Sequence, residues 1–161
     1  LLPMLLASKG FSLGEIGKIV AIYPAVWGIG QLLTGKMADH FSKKSMLFYG
    51  MLLQGAILAG MAVASTFTQF TVLSVFLGIG TAIVYPTFLA AIADYTHPTQ
   101  RAESIGVFRL WRDLGYAVGA LITGIVADMA GLIPSVIVVS ALTLISALII
   151  LIRMTGTYQS D

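Results

Sequence analysis

Gly35-Lys36-Met37-Ala38-Asp39-His40-Phe41-Ser42-Lys43-Lys44 is the longest polar interruption in a chain that is otherwise close to continuous hydrocarbon. It follows an apolar run that includes two glycines, carries one acid, and ends in two cations before the next apolar run opens at Met46. Such a stretch reads as a short charged loop clamped between two membrane helices. The rest of the chain reads as helices arranged around it.

Outward from this loop, the spacing of charge sets the number of spans. From Ser45 to Ala93, 49 consecutive residues carry no Asp, Glu, Lys or Arg. About 20 apolar residues cross roughly 30 Å of hydrocarbon, so this run holds two spans and a tight turn. Met129 to Ile152 gives another 24 such residues, and 17 more lie between Lys18 and Lys36, whose long stems can snorkel to the interfaces. Composition agrees: 58% of residues are hydrophobic and 10% charged, where soluble domains carry about 25% charge. With a mean hydropathy of +0.95, this is the composition of an integral membrane protein. The net charge of +2 does not point to nucleic acid, because nine cations scattered over helix ends form no basic stripe. The absence of Cys excludes disulfides, thiolate catalysis and Cys-ligated zinc within this sequence. The opening Leu1-Leu2-Pro3-Met4 has no positively charged leader and is read as the end of a helix whose start precedes it.

Taken in order, residues 1 to 6 are that stub, and Ala7 to Phe11 a short loop. Ser12-Leu13-Gly14-Glu15 matches a capping box, with Phe11 and Ile16 placed for a hydrophobic staple, so the first complete helix is expected from about Leu13 to Met37. Pro24 lies inside it. Tyr23, Trp27 and Gln31 recur at i, i+4, i+8 and share a face. The second helix is expected over Met46 to about Ala64, and the third over about Gln69 to Ala93, where Ser74, Gly78, Thr81 and Tyr85 make a small and polar stripe suited to a protein or cavity face. Asp94 to Glu103 is a second charged loop, with Pro98 placed to open a helix. The fourth helix, to about Asp128, holds Arg109, Arg112 and Asp113 in an apolar setting, followed by Gly115-xxx-Gly119, a spacing that permits close helix contact. The fifth is expected over about Leu132 to Ile152, with one side to lipid. Five complete helices and a stub make six crossings. Lys36, Lys43, Lys44, Arg101 and Arg153 alternate to one side and Lys9 and Lys18 to the other, so the charged loops and C-terminus are expected in the cytoplasm.

Two groups of residues stand out chemically. Asp39 and Asp94 sit near helix C-termini, where the macrodipole disfavours an acid. They are either solvated interfacial charges or members of a cluster that locks one conformation. Arg109, Arg112, Asp113 and Tyr116 share one face by their i, i+3, i+4, i+7 spacing, and Arg109 is placed to pair with Asp113. That group faces a bundle interior or water-filled cavity if it lies at depth, and anchors the helix among headgroups if it does not. No catalytic signature is present: there is no H-E-x-x-H, G-x-S-x-G or P-loop, and His40 and His97 lie in separate charged loops. The residues point to no metal site, cofactor or enzyme.

The charged stretch resembles the G-x-x-x-D-R-x-G-R-[RK] loop of the major facilitator superfamily, which joins the second and third helices of each six-helix half. Gly35, Asp39, Lys43 and Lys44 match; His40 stands where Arg is usual, and Ser42 where Gly is usual. Ala93-Asp94 followed by Arg101-Ala102-Glu103-Ser104-Ile105-Gly106 resembles the segment after the fourth helix of a half. Arg112-Asp113-Leu114-Gly115 resembles a stretch in the fifth helix of C-terminal halves. The resemblance covers essentially the whole chain.

It implies a polytopic, all-α membrane protein: one transmembrane domain over residues 1–161, the C-terminal half of a transporter whose N-terminal half lies outside this sequence. It implies a charge relay of Asp39, Lys43 and Asp94 with Gly35 and Lys44 in the loop, and alternating access by rocking of two halves about a central site. Tyr23, Trp27, Gln31, Thr81 and Tyr85 then become cavity candidates, and Arg109, Arg112 and Asp113 an intramembrane charge cluster. The implied partners are a small-molecule substrate, the lipid bilayer and the N-terminal half, with no nucleic acid and no cofactor. The implied setting is the plasma (inner) membrane, and the implied activity is secondary transport of a small organic solute, with efflux of drugs or metabolites favoured and proton coupling allowed. The rival reading is a six-crossing assembly or binding module that transports nothing.

Overall fold

The structure is a computed structural model that describes residues 1–155, with only the backbone described at Lys36, Ala38 and Asp39. Six α-helices follow one another: α1 (Leu2–Ser8), α2 (Leu13–His40), α3 (Lys43–Val63), α4 (Phe67–Tyr95), α5 (Arg101–Ala130) and α6 (Leu132–Arg153), with a 3-10 turn at Pro98–Gln100 leading into α5. Among the described residues, five helices are long and apolar enough to cross a membrane. The chain is therefore, among the described residues, an all-α bundle of five long helices and one short one. The short helix, α1, has seven residues, about 10 Å of helix.

Local chemistry explains the helix starts. Ser12 caps α2 as expected: its backbone N–H donates to Glu15 Oε2 at 2.9 Å, and the Glu15 N–H donates to Ser12 Oγ at 3.4 Å. A second capping box opens α4, where Thr66 Oγ1 accepts from the Gln69 N–H at 3.2 Å and Gln69 Oε1 accepts from the Thr66 N–H at 3.1 Å. This helix therefore begins at Phe67, two residues before the expected Gln69. Thr66-x-x-Gln69 carried the signal.

The decisive charged stretch is mostly helix rather than loop. α2 runs to His40 and α3 starts at Lys43, leaving Phe41 and Ser42 as the connection. The Phe41 N–H donates to Met37 O at 3.0 Å and the Met46 N–H to Ser42 O at 3.0 Å. Charged side chains have ordinary helix propensity. Their appearance marks where a helix leaves hydrocarbon, not where it stops. The same holds at Asp94, since α4 continues to Tyr95.

α4 lies between α2 and α3; α3 packs on its other side against α6, and α5 leans on α6 with only a light touch on α4. The α2–α4 crossing is tight at Gly78, where a Cβ would stand 2.9 Å from the Tyr23 carbonyl oxygen and 2.8 Å from Val26 Cβ. Hydroxyls bind helices across their contacts: Thr34 donates to Ala82 O, Ser140 to Gly55 O at 2.7 Å and Ser135 to Thr123 O at 2.8 Å. Leu5, Leu6, Ile19, Met61, Phe70 and Val136 form the main apolar cluster, with Phe11 edge-on to Phe70 at 5.7 Å. Gly131, at φ +95°, makes the turn from α5 to α6 in a conformation open to glycine.

α5 differs from its neighbours, for none of its residues is buried. The Gly115-xxx-Gly119 pair expected to admit a helix has nothing within 4 Å of either Cβ position. These glycines instead line an apolar cavity of about 450 Å³, together with Leu58, Met61 and Val136.

Candidate functional site

A line of side chains joins α2, α4 and α5 near the middle of the bundle. Tyr23 and Trp27, one turn apart on α2, stack with ring centroids 6.1 Å apart. Trp27 meets Tyr85 of α4 edge-on at 6.1 Å. Arg112 of α5 closes the line: its Nη1 donates to the Tyr85 hydroxyl at 3.1 Å, and its guanidinium carbon lies 5.7 Å from the Tyr85 ring centroid. The same guanidinium holds Asp113, with Nε donating to Oδ1 at 2.9 Å and Nη2 2.8 Å from that oxygen.

This line unites three of the five cavity candidates with two of the three intramembrane charges, groups that the sequence left separate. Gln31 is half-buried and makes no hydrogen bond among the described residues. Thr81 spends its hydroxyl on the Leu77 carbonyl of its own helix at 2.9 Å. The buried Trp27 Nε1 has no acceptor, an omission that costs a neutral donor about 1–3 kcal/mol.

The expected Arg109–Asp113 pairing is replaced by Arg112–Asp113. Spacing along one helix favoured the former, but a contact between helices decides: Tyr85 fixes the Arg112 guanidinium at the α4–α5 contact, within reach of Asp113. Arg109 is exposed and makes no ion pair among the described residues. Arg112 lies 11 residues beyond Arg101 in this 30-residue helix, about 16 Å along it. In a membrane span, ionisable groups at such depth face protein or water rather than lipid.

At the far end of the bundle, Lys43 Nζ meets Asp94 Oδ2 at 2.6 Å. Lys43 stands in the first turn of α3 and Asp94 in the last turn of α4, so each charge opposes its own helix dipole. Pairing offsets both penalties with a short charge-assisted hydrogen bond. The Lys43 side chain is only 10% exposed and that of Asp94 37%. Two members of the expected relay thus meet, while the Asp39 side chain lies outside the described residues. Gly35 has nothing within 4 Å of its Cβ position. Lys44 is half-buried without an ion pair among the described residues. Tyr95 adds a tie to the segment just past α6, its hydroxyl donating to the Thr155 carbonyl at 3.2 Å.

Among the described residues, no group of three or more His, Asp or Glu side chains is placed to hold a metal. What the site offers is hydrogen-bond donors, one partly used carboxylate and aromatic faces. Groups of these kinds can hydrogen-bond to and stack on a small polar molecule.

Comparison with known proteins adds a lineage to this geometry. A family model described as the Major Facilitator Superfamily matches residues 1–159. An uncharacterised MFS-type transporter of Methanocaldococcus jannaschii is 30% identical over 118 residues, covering 73% of this chain and 31% of that protein. A probable L-galactonate transporter of Escherichia coli is 30% identical over 109 residues, covering 68% and 24%. A multidrug resistance protein of Aeromonas hydrophila is 29% identical over 114 residues, covering 70% and 28%. The matched stretch thus spans a quarter to a third of the length of these relatives.

Proposed function

The chain belongs to the major facilitator superfamily, and from that premise we propose that it is the C-terminal six-helix half of a secondary transporter moving a small organic solute by alternating access. The observation that carries this reading is the Arg112–Asp113 pair, held by Tyr85 far along a helix none of whose residues is fully buried against the rest of this chain. Lipid is a poor neighbour for such a pair. A water-filled cavity shared with a second half of the protein suits it, and alternating access supplies one.

In this scheme α2, α4 and α5 border the cavity, while α3 and α6 stand behind them. Lys43 and Asp94, joined by Asp39 of the family-like loop, act as a latch at the cytoplasmic end that holds one conformation and opens in the other. The names of the relatives divide between an acid solute and multidrug resistance. Efflux of a drug or metabolite is the direction the multidrug relative supports, and Asp113 is the carboxylate in this chain best placed to carry a coupled proton. The N-terminal half and the surrounding bilayer are the partners, and the plasma (inner) membrane the location.

A single cysteine at Thr81, introduced in the full-length protein freed of other cysteines, tests the scheme. Under alternating access, a membrane-impermeant thiol reagent labels it in one state, and added solute changes the rate. Complete protection under every condition would count against transport and favour the assembly module.

A further inference from the structure

We propose that the α5 face selects a solute carrying a carboxylate or similarly compact acid group, held between Arg109 and Arg112. The inference rests on the transporter reading above and adds the chemical class of the solute.

Charge balance is the first argument. Arg109 and Arg112 stand one turn apart, about 12 and 16 Å into α5, with Asp113, among the described residues, as the one acid beside them. The next acids along α5 are Glu103 and Asp128, roughly 9 Å from Arg109 and 24 Å from Arg112 along the axis. The elements packed around the site do not make up the difference. α4 presents Tyr85, α2 presents Tyr23 and Trp27, and α6 carries no charge from Leu132 to Ile152. The face therefore has one positive charge in excess where such a charge is expensive to leave alone.

Geometry is the second. Arg112 Nε donates to Asp113 and Nη1 to Tyr85, and Nη2 lies 2.8 Å from the same Asp113 oxygen, so of the five N–H donors of a guanidinium one on each Nη remains. Tyr85 pins the group in place, so it is preorganised, and its side chain keeps 27% exposure. Arg109 and Tyr116 are exposed on the same side of α5. A guanidinium fork matches a carboxylate through two parallel hydrogen bonds. A cationic solute would meet two guanidinium groups and one carboxylate already engaged, and a neutral solute would leave the excess charge uncompensated.

The acid that answers this charge has two possible sources: the solute, to which the proposal commits, or a side chain elsewhere in the full-length protein. Binding to the full-length protein in lipid nanodiscs separates them, using lactate, benzoate and gluconate, each beside its neutral amide. At least one acid should bind about tenfold or more tighter than its amide. Arg112→Gln and Arg109→Gln should each erase that preference, and Arg112→Lys should retain part of it, since charge survives while the fork is lost. If no acid is preferred, or if the preference survives both Gln variants, the proposal is overturned. The same holds if the wild type prefers the amides and Arg112→Gln melts early, because an internal acid then occupies the face.

Solute exchange in proteoliposomes keeps the two readings apart. An acid that binds through the arginines but never crosses leaves this proposal standing and removes transport. A neutral or cationic solute that crosses at an unchanged rate in Arg112→Gln does the reverse.

Discussion

α4 and α5 are 29 and 30 residues long, both apolar enough to span a membrane, and consecutive in the chain. Their surroundings are opposite. α4 buries Phe70, Ser74, Gly78, Ala82, Thr87 and Ala91 among others, and no charge falls in it before Asp94. α5 buries nothing, carries its ion pair far from either end, and leaves Gly115 and Gly119 open. Apolar length therefore decides whether a helix can enter a membrane. What it faces there is set by where the small, polar and charged residues fall, and by whether a partner reaches them.

The same substitution at two glycines breaks or upholds this contrast. At Gly78 the added methyl of Gly78→Ala meets the Tyr23 carbonyl oxygen at 2.9 Å, a backbone atom that no rotamer change can move aside. α2 and α4 must separate, at a cost of about 2 kcal/mol net of the helix preference for Ala. A detergent or denaturant melt should show the loss directly. An unchanged melt would mean that the α2–α4 crossing is looser than described.

Much of this architecture is legible in the residues, and the misreadings have physical causes. Charge-free runs gave the helix count, and Ser12 with Glu15 gave a helix start to the residue, because a capping box is a local interaction. The charged stretch at Gly35 to Lys44 misled as a loop, because hydropathy records the membrane boundary and hydrogen bonding records the helix boundary. At the site, Arg112, Asp113, Tyr85, Trp27 and Tyr23 each drew notice, but their junction depends on the α2–α4–α5 arrangement. The choice of Arg112 over Arg109 as the partner of Asp113 turns on Tyr85, 27 residues away in the chain, which no spacing rule on α5 contains.

The two ion pairs extend the comparison. Lys43–Asp94 ties α3 to α4 with the lysine largely enclosed, whereas Arg112–Asp113 lies within one open helix. Asp94→Asn should lower stability by about 1–2 kcal/mol, less than breaking a fully buried pair, because Asp94 is partly solvated. Asp113→Asn should shift the same melt less, while altering solute binding more. The double variant Lys43→Met with Asp94→Leu should recover most of the loss, since it removes the stranded ammonium that Asp94→Asn leaves beside the positive end of α3. A double variant as unstable as Asp94→Asn would show that the pair does more than neutralise charge.

The smallest effect is expected at Gly119→Ala, with the opposite sign to Gly78→Ala. Nothing lies within 4 Å of the Gly119 Cβ position, and the residue borders the apolar cavity of about 450 Å³. The methyl group therefore meets no obstacle and improves helix propensity by at most about 1 kcal/mol. In the full-length protein the melt should hold or rise slightly. A clear fall would mean that another helix already lies against this surface, so that Gly115 and Gly119 serve as its seat. The open side of α5 would then be a packed interface at that level, and any solute would be confined to the stretch nearer Arg109 and Arg112.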